Sequence, residues 1–232
     1  MKETVLDQLL DLQEKCPSNN QACQVFDEVR RLREECKRLQ ELTQVDTLTG
    51  LFNFRYLMMA LEGEMERTRR TGLSTGLIMS DLDHFKRIND THGHECGNKA
   101  LQWIGKIWQE KLRRIDMACR YGGEEFVVIL PGTRLPQAIR AAERLRFALE
   151  NSPVKLNGKL VRLTASFGVD AYRGRKKLAV EAFIKQTDHF LLEAKARGRN
   201  RVCYDENKMT VAMEGLTLDE REALFATRRP ER

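Results

Sequence analysis

The apolar positions along this chain change their period twice. Near the N-terminus Val5, Leu6, Leu9, Leu10 and Leu12 fall on one side of a helix, and "CPSNN" at 16–20 breaks it. A second helical stretch sets Val25, Val29, Leu32, Cys36 and Leu39 at alternating spacings of four and three, with charges between them. That seam is about two heptads long and predicts a dimerising stalk over residues 1–45. From 46 to 204 strand and helix periods alternate. "TGLIMSDL" (75–82), "MACRY" (117–121), "EEFVVIL" (124–130) and "RLTASFGV" (162–169) read as strands. "FRYLMMALEGEMERTRR", "CGNKALQWIGKIWQEKLRR", "LPQAIRAAERLRFALEN" and "AVEAFIKQTDHFLLEAKARG" read as helices. The alternation predicts an α/β (α+β) domain, a mixed sheet covered by helices, with one hairpin. "RYGGEEF" predicts Gly122 and Gly123 as the two turn residues of that hairpin. Residues 205–232 read as a tail in which Thr217 and Glu220 form a capping box for one short helix.

Composition narrows the classes. Of 232 residues, 41% are hydrophobic and 32% charged, which suits a packed core and excludes global disorder. No window approaches the ~18 apolar residues of a membrane span, and "MKETVLDQLLDLQEK" mixes acids into its apolar positions, unlike a signal peptide. A cytoplasmic location and no membrane partner are therefore expected. The six cysteines show no CxxC and no framework spacing, so inert thiols are expected. The net charge of +6 raises the question of nucleic acid. However, the basic residues alternate with acids, as in "EVRRLREECKRLQE", and aromatics are only 7%. No nucleic-acid polymer is expected, while some Arg and Lys are candidates for small phosphorylated ligands.

Asp81 stands at the end of the first apolar strand, where a carboxylate needs a partner. Glu124 and Glu125 stand at the tip of another strand pair. If the strands are adjacent, Asp81 and Glu124 can hold Mg²⁺ with oxygen ligands, and bare glycine backbone can approach a phosphate or base. On these residues alone, a hairpin with two solvated glutamates is favoured over a metal site.

The ordered motifs favour the first alternative. "DTLTGLFNFRYL", "SDLDHFKRIND", "HGHECGNKAL", "GGEEF" and "EAKARGRNRV" follow one another across residues 46–204. In this the chain resembles the GGDEF domain of diguanylate cyclases. The resemblance implies a nucleotidyl-cyclase-like fold with a mostly antiparallel sheet. It implies condensation of two GTP into cyclic di-GMP, releasing two pyrophosphates, across an antiparallel homodimer. Asp81, Glu124 and the Leu82 carbonyl match the metal ligands, for two Mg²⁺ per half-site with Mn²⁺ as an alternative. Glu125 or Glu124 would accept the proton of the attacking hydroxyl. Lys86, Lys195, Arg199 and the amides of Asp83, His84 and Phe85 match the phosphate contacts. The i, i+4 spacing of Lys195 and Arg199 predicts one shared helix face. Asn89 and Asn98 match the base readers, but aspartate is usual where Asn98 stands. A carboxylate accepts both guanine donors, whereas an amide matches adenine's donor–acceptor edge. ATP beside GTP, and a mixed cyclic GMP–AMP, are therefore alternatives at this position. Arg113 with Asp116, and Arg144, match an inhibitory site for cyclic di-GMP. A binding domain without turnover and a coiled-coil adaptor are the rival readings; the second leaves the acids and phosphate binders unexplained.

Overall fold

The structure, a computed structural model, describes residues 28–35 and 44–213, with side chains to 209. The chain divides into two units, 1–44 and 45–232. In the first, the described residues 28–35 are helical, and Val29 and Leu32 of the predicted seam are exposed there. Surface pairs Arg31–Glu28 and Arg30–Glu34 line this stretch. Val25, Cys36, Leu39, the first amphipathic stretch and the Thr217–Glu220 capping box lie outside the described residues.

The second unit runs α1 (Phe54–Thr71), β1 (Thr75–Leu82), α2 (Phe85–His92), α3 (His94–Lys111), β2 (Met117–Gly122), β3 (Glu125–Leu130), α4 (Leu135–Glu150), β4 (Val154–Leu156), β5 (Lys159–Val161), β6 (Ala165–Tyr172), α5 (Val180–Ala196), β7 (Val202–Tyr204) and α6 (Glu206–Met213). Five strands form one sheet in the order β2-β3-β1-β6-β7, and β4 and β5 form a separate ribbon. Every pair in the main sheet is antiparallel except β6–β7. The predicted mixed, mostly antiparallel sheet covered by helices is therefore the observed fold.

β1 is central and covered on both faces, so its apolar run is continuous instead of alternating. Its pleat still sorts the side chains. Leu77 and Met79 join a core cluster with Leu57 and Leu61 of α1 and Phe183 and Leu191 of α5. Ile78 and Leu82 join the opposite cluster with residues of α3 and α4. Asp81 has the parity of Leu77 and Met79, so it faces the side on which α1 and α5 pack. α5 lies very close to the sheet. A Cβ on Gly168 of β6 would stand 2.3 Å from the Thr187 carbonyl oxygen and 2.4 Å from the Leu191 nitrogen.

Three short elements went unread in the sequence: α2, the β4–β5 ribbon and β7. The tail expected from 205 begins with α6, whose Met209 is buried in the α3–α4 cluster. Its Lys208 Nζ reaches both oxygens of Asp170 at 3.0 and 2.8 Å. Cys96, Cys119 and Cys203 are free and buried, as expected of inert thiols, and burial pushes the Cys119 thiol up to about 12. Among the described residues no helix is long and apolar enough to cross a membrane.

Candidate active site

The β2–β3 hairpin is built differently from its prediction. Gly122 is the last residue of β2 and pairs with Glu125, so Gly123 and Glu124 are the two turn residues. Only Gly123 takes a positive φ, +53°, which a glycine adopts without cost. The register slips between Arg120 and Gly122, so Tyr121 is an extra residue in the ladder. Arg120 ties the tip down, donating to the Gly123 carbonyl at 2.9 and 3.0 Å and pairing with Asp46 at 3.2 Å. Asp46 in turn accepts the amide and hydroxyl of Thr49. The sequence reading passed over Arg120 and Asp46, although the Asp-x-x-Thr of "DTLT" is a capping-type signal.

β1 and β3 are adjacent, as the candidate metal site requires. Asp81 stands directly opposite Glu125, and the Leu82 amide donates to the Glu124 carbonyl at 3.3 Å. From α5, Lys195 Nζ approaches Asp81 Oδ2 to 2.8 Å. Burial raises the Asp81 carboxyl above its ordinary range; Lys195 opposes this, and Glu124 and Asp83 add to it. Burial also raises Glu125, assisted by the charges of Asp81, Asp188 and Glu124. Asp81 thus meets the Lys195 ammonium directly, and Glu125 feels the charge of both. Among the described residues no group of three His, Cys, Asp or Glu side chains is arranged to hold a metal by itself. An ion here would therefore draw on carboxylate, carbonyl, water and ligand oxygens. Hard oxygen donors fit Mg²⁺, whose usual site is one or two carboxylates plus waters and phosphate.

The predicted phosphate contacts divide. Lys86 is exposed on α2. The Asp83 amide is committed to the Thr164 carbonyl at 2.9 Å, so it is removed from the expected set. The amides of His84 and Phe85 have no hydrogen-bond partner among the described residues, and His84 takes φ +57° at the head of α2. Arg199 does not share a helix face with Lys195. α5 ends at Ala196, because Gly198 turns left-handed at φ +109° and the Arg199 amide closes back on the Ala194 carbonyl.

Asn89 of α2 lies against Gly97 of α3, the residue before Asn98. A Cβ on Gly97 would lie 1.9 Å from Asn89 Oδ1, so Gly97 is the cradle of that side chain, and Asn98 is exposed on the next residue. Arg113, Asp116 and Arg144 come together at the end of α3. The Arg113 amide donates to Asp116 Oδ2 at 2.9 Å, while Asp116 Oδ1 is buried without a partner. Arg144 Nε donates to the Lys111 carbonyl at 3.2 Å. Burial raises the Asp116 carboxyl, against the pull of Arg113 and Arg144.

The profile described as "Diguanylate cyclase, GGDEF domain" matches residues 43–201, which contain all of these groups. The chain belongs to the GGDEF family. Response regulator PleD of Caulobacter vibrioides is 40% identical over 173 residues, covering 74% of this chain and 38% of that protein. The GGDEF domain here therefore spans well under half the length of such relatives. Among solved structures, diguanylate cyclase SiaD in complex with its activator SiaC, from Pseudomonas aeruginosa, superposes with TM-score 0.67 at 36% identity. That match covers 78% of this chain and 69% of SiaD. The coiled coil and GGDEF domain of DgcB from Caulobacter crescentus, solved with c-di-GMP, gives TM-score 0.67 at 26% identity, covering 78% and 95%.

Proposed function

We propose that this GGDEF domain is a diguanylate cyclase that condenses two GTP into cyclic di-GMP and two pyrophosphates. The observation that carries the reading is the convergence of Asp81, Glu124 and Glu125 with Lys195 at the end of a family-matched sheet. In each half-reaction a ribose 3′-hydroxyl attacks the α-phosphorus of the other nucleotide, its proton leaves, and the bond to pyrophosphate breaks. Glu125 is the proposed acceptor of that proton, and its raised affinity for a proton suits the task. Lys195 reaches the Asp81 carboxylate now and the polyphosphate once nucleotide is bound. Asp81, Glu124 and the Leu82 carbonyl are the groups that would hold Mg²⁺, which when bound neutralises phosphate charge. Asn89 and Asn98 read the base.

Each domain offers one nucleotide site, so turnover needs an antiparallel homodimer, and residues 1–45 are proposed as its stalk. DgcB, whose solved fragment includes a coiled coil, supports this arrangement. Product inhibition is proposed at Arg113, Asp116 and Arg144. The unpartnered Asp116 oxygen is an acceptor awaiting a guanine donor, and the arginines suit phosphates.

A second reading is favoured by Asn98 alone: mixed cyclic GMP–AMP synthesis from GTP and ATP. Mass spectrometry of products from equal GTP and ATP with Mg²⁺ tests both. Cyclic di-GMP as main product supports the first, and the mixed product supports the second. No pyrophosphate release would reduce the domain to a binding module. If Asn98→Asp leaves the product ratio unchanged, Asn98 has no part in base choice.

A further inference from the structure

Beyond α5 the backbone runs left-handed through three residues. Gly198, Arg199 and Asn200 have φ of +109°, +64° and +45°. Gly198 alone is enough to end the helix, yet Arg199 and Asn200 continue left-handed, and Arg199 is held there against its steric preference. The restraint comes from two sides. The Asn200 amide donates to Asp83 Oδ2 at 3.0 Å. Asp83, only 7% exposed, also accepts Ser166 Oγ at 2.6 Å and Thr164 Oγ1 at 2.8 Å. From α4, Glu150 Oε1 accepts Asn200 Nδ2 at 3.0 Å, and Arg146 Nη1 donates to Asn200 Oδ1 at 3.2 Å and to Glu150 Oε2 at 3.0 Å.

This network touches the candidate site at both ends. Asp83 lies two residues beyond Asp81, in the connection from β1 to α2. Asn200 lies immediately after Arg199. We propose that Asp83, Arg146, Glu150 and Asn200 are positioning residues that aim Arg199 at the terminal phosphates of the nucleotide. The inference rests on the cyclase reading and specifies how its phosphate clamp is built. An arginine on a freely wound helix end would sample many directions. One fixed at φ +64° by its neighbour's anchors presents its side chain from a single backbone geometry. Asparagine suits the anchored position because its short amide tolerates left-handed backbone while bonding outward on both ends.

The test is equilibrium binding, by calorimetry with Mg²⁺, of a non-hydrolysable GTP analogue and of GDP to the full chain. The native chain binds the triphosphate more tightly than the diphosphate. Asn200→Ala loses about tenfold in triphosphate affinity, the worth of one hydrogen bond to a charged group, and keeps its GDP affinity. Glu150→Gln, which retains an acceptor for the Asn200 amide, keeps the preference, and Glu150→Ala loses it. Circular dichroism confirms folding of each variant; if Asn200→Ala does not fold, Arg146→Lys is read in its place. A folded Asn200→Ala chain with its triphosphate preference intact, or one weakened equally for both nucleotides, overturns the positioning role. A native chain that binds neither nucleotide overturns the cyclase reading as well.

Discussion

Asp116, of the proposed inhibitory site, carries a cost to the fold. Its Oδ1 is buried without a partner and its carboxyl is raised by burial. An acid whose folded pKa exceeds its unfolded value binds its proton more tightly when folded. The resulting penalty is present above the folded pKa and vanishes below the unfolded one, ~3.9. Asp116→Asn keeps an oxygen for the Arg113 amide and removes the charge. It should raise the thermal midpoint at neutral pH, with the gain shrinking as the pH falls toward ~4. The same variant should weaken inhibition by added cyclic di-GMP, measured as a rise in its inhibition constant. A gain in stability that persists unchanged in acid would show that burial of the charge is not the cause. At the catalytic end, Glu125→Gln keeps the shape and removes the proposed base. It should lower kcat at least ~100-fold in a pyrophosphate-release assay with little change in KM.

At the scale of elements, two glycines set how closely helices approach the site. A side chain on Gly168 would strike α5 backbone at 2.3–2.4 Å, and backbone cannot swing aside. Gly168→Ala should therefore cost about 3 kcal/mol, toward the severe end of overpacking, and lift Lys195 away from Asp81. Gly97→Ala meets a different obstacle, the end of the Asn89 side chain. That amide can rotate away, so the thermal midpoint should barely move while KM for GTP rises. Comparing the two variants in melting and kinetics separates a packing glycine from one that makes room for the proposed base reader Asn89. The long elements were legible because their periods are long: β1 was read to the residue, and α1, α4 and α5 to within a residue or two at each end. The short ones were not. β4, β5 and β7 have three residues each, too few to show a period. α2 is mostly polar and carries Phe85 as its one buried residue. Within the site, types and order were readable, and directions were not. No spacing reveals that Gly198 takes Arg199 off the helix, or that the Asp83 amide is spent on Thr164.

For the whole molecule, the fold extends past the family match. The profile ends at residue 201, yet β7 and α6 follow, and α6 supplies the cation for Asp170, whose side chain is 2% exposed. Lys208→Met should cost about 3 kcal/mol by leaving a buried carboxylate unpaired. In a domain of this size that is a fall of about 10 °C in melting temperature. Adding Asp170→Asn should restore part of the loss; no recovery in the double variant would show that the ion pair is not what α6 contributes. The N-terminal unit poses the complementary question, because the proposed reaction needs two nucleotide-loaded domains face to face. A tether supplies an effective concentration that can reach the millimolar range for short linkers. A seam of about two heptads is weak on its own, so it should matter most where protein is dilute. Deleting residues 1–44 should leave the GGDEF domain folded and make its specific activity rise with protein concentration. The full chain should be flatter over the same range. Sedimentation run beside the pyrophosphate assay checks both halves of the claim. If the shortened chain matches the full one in mass and in rate at every concentration, the dimer forms through the domain itself and the seam has another purpose.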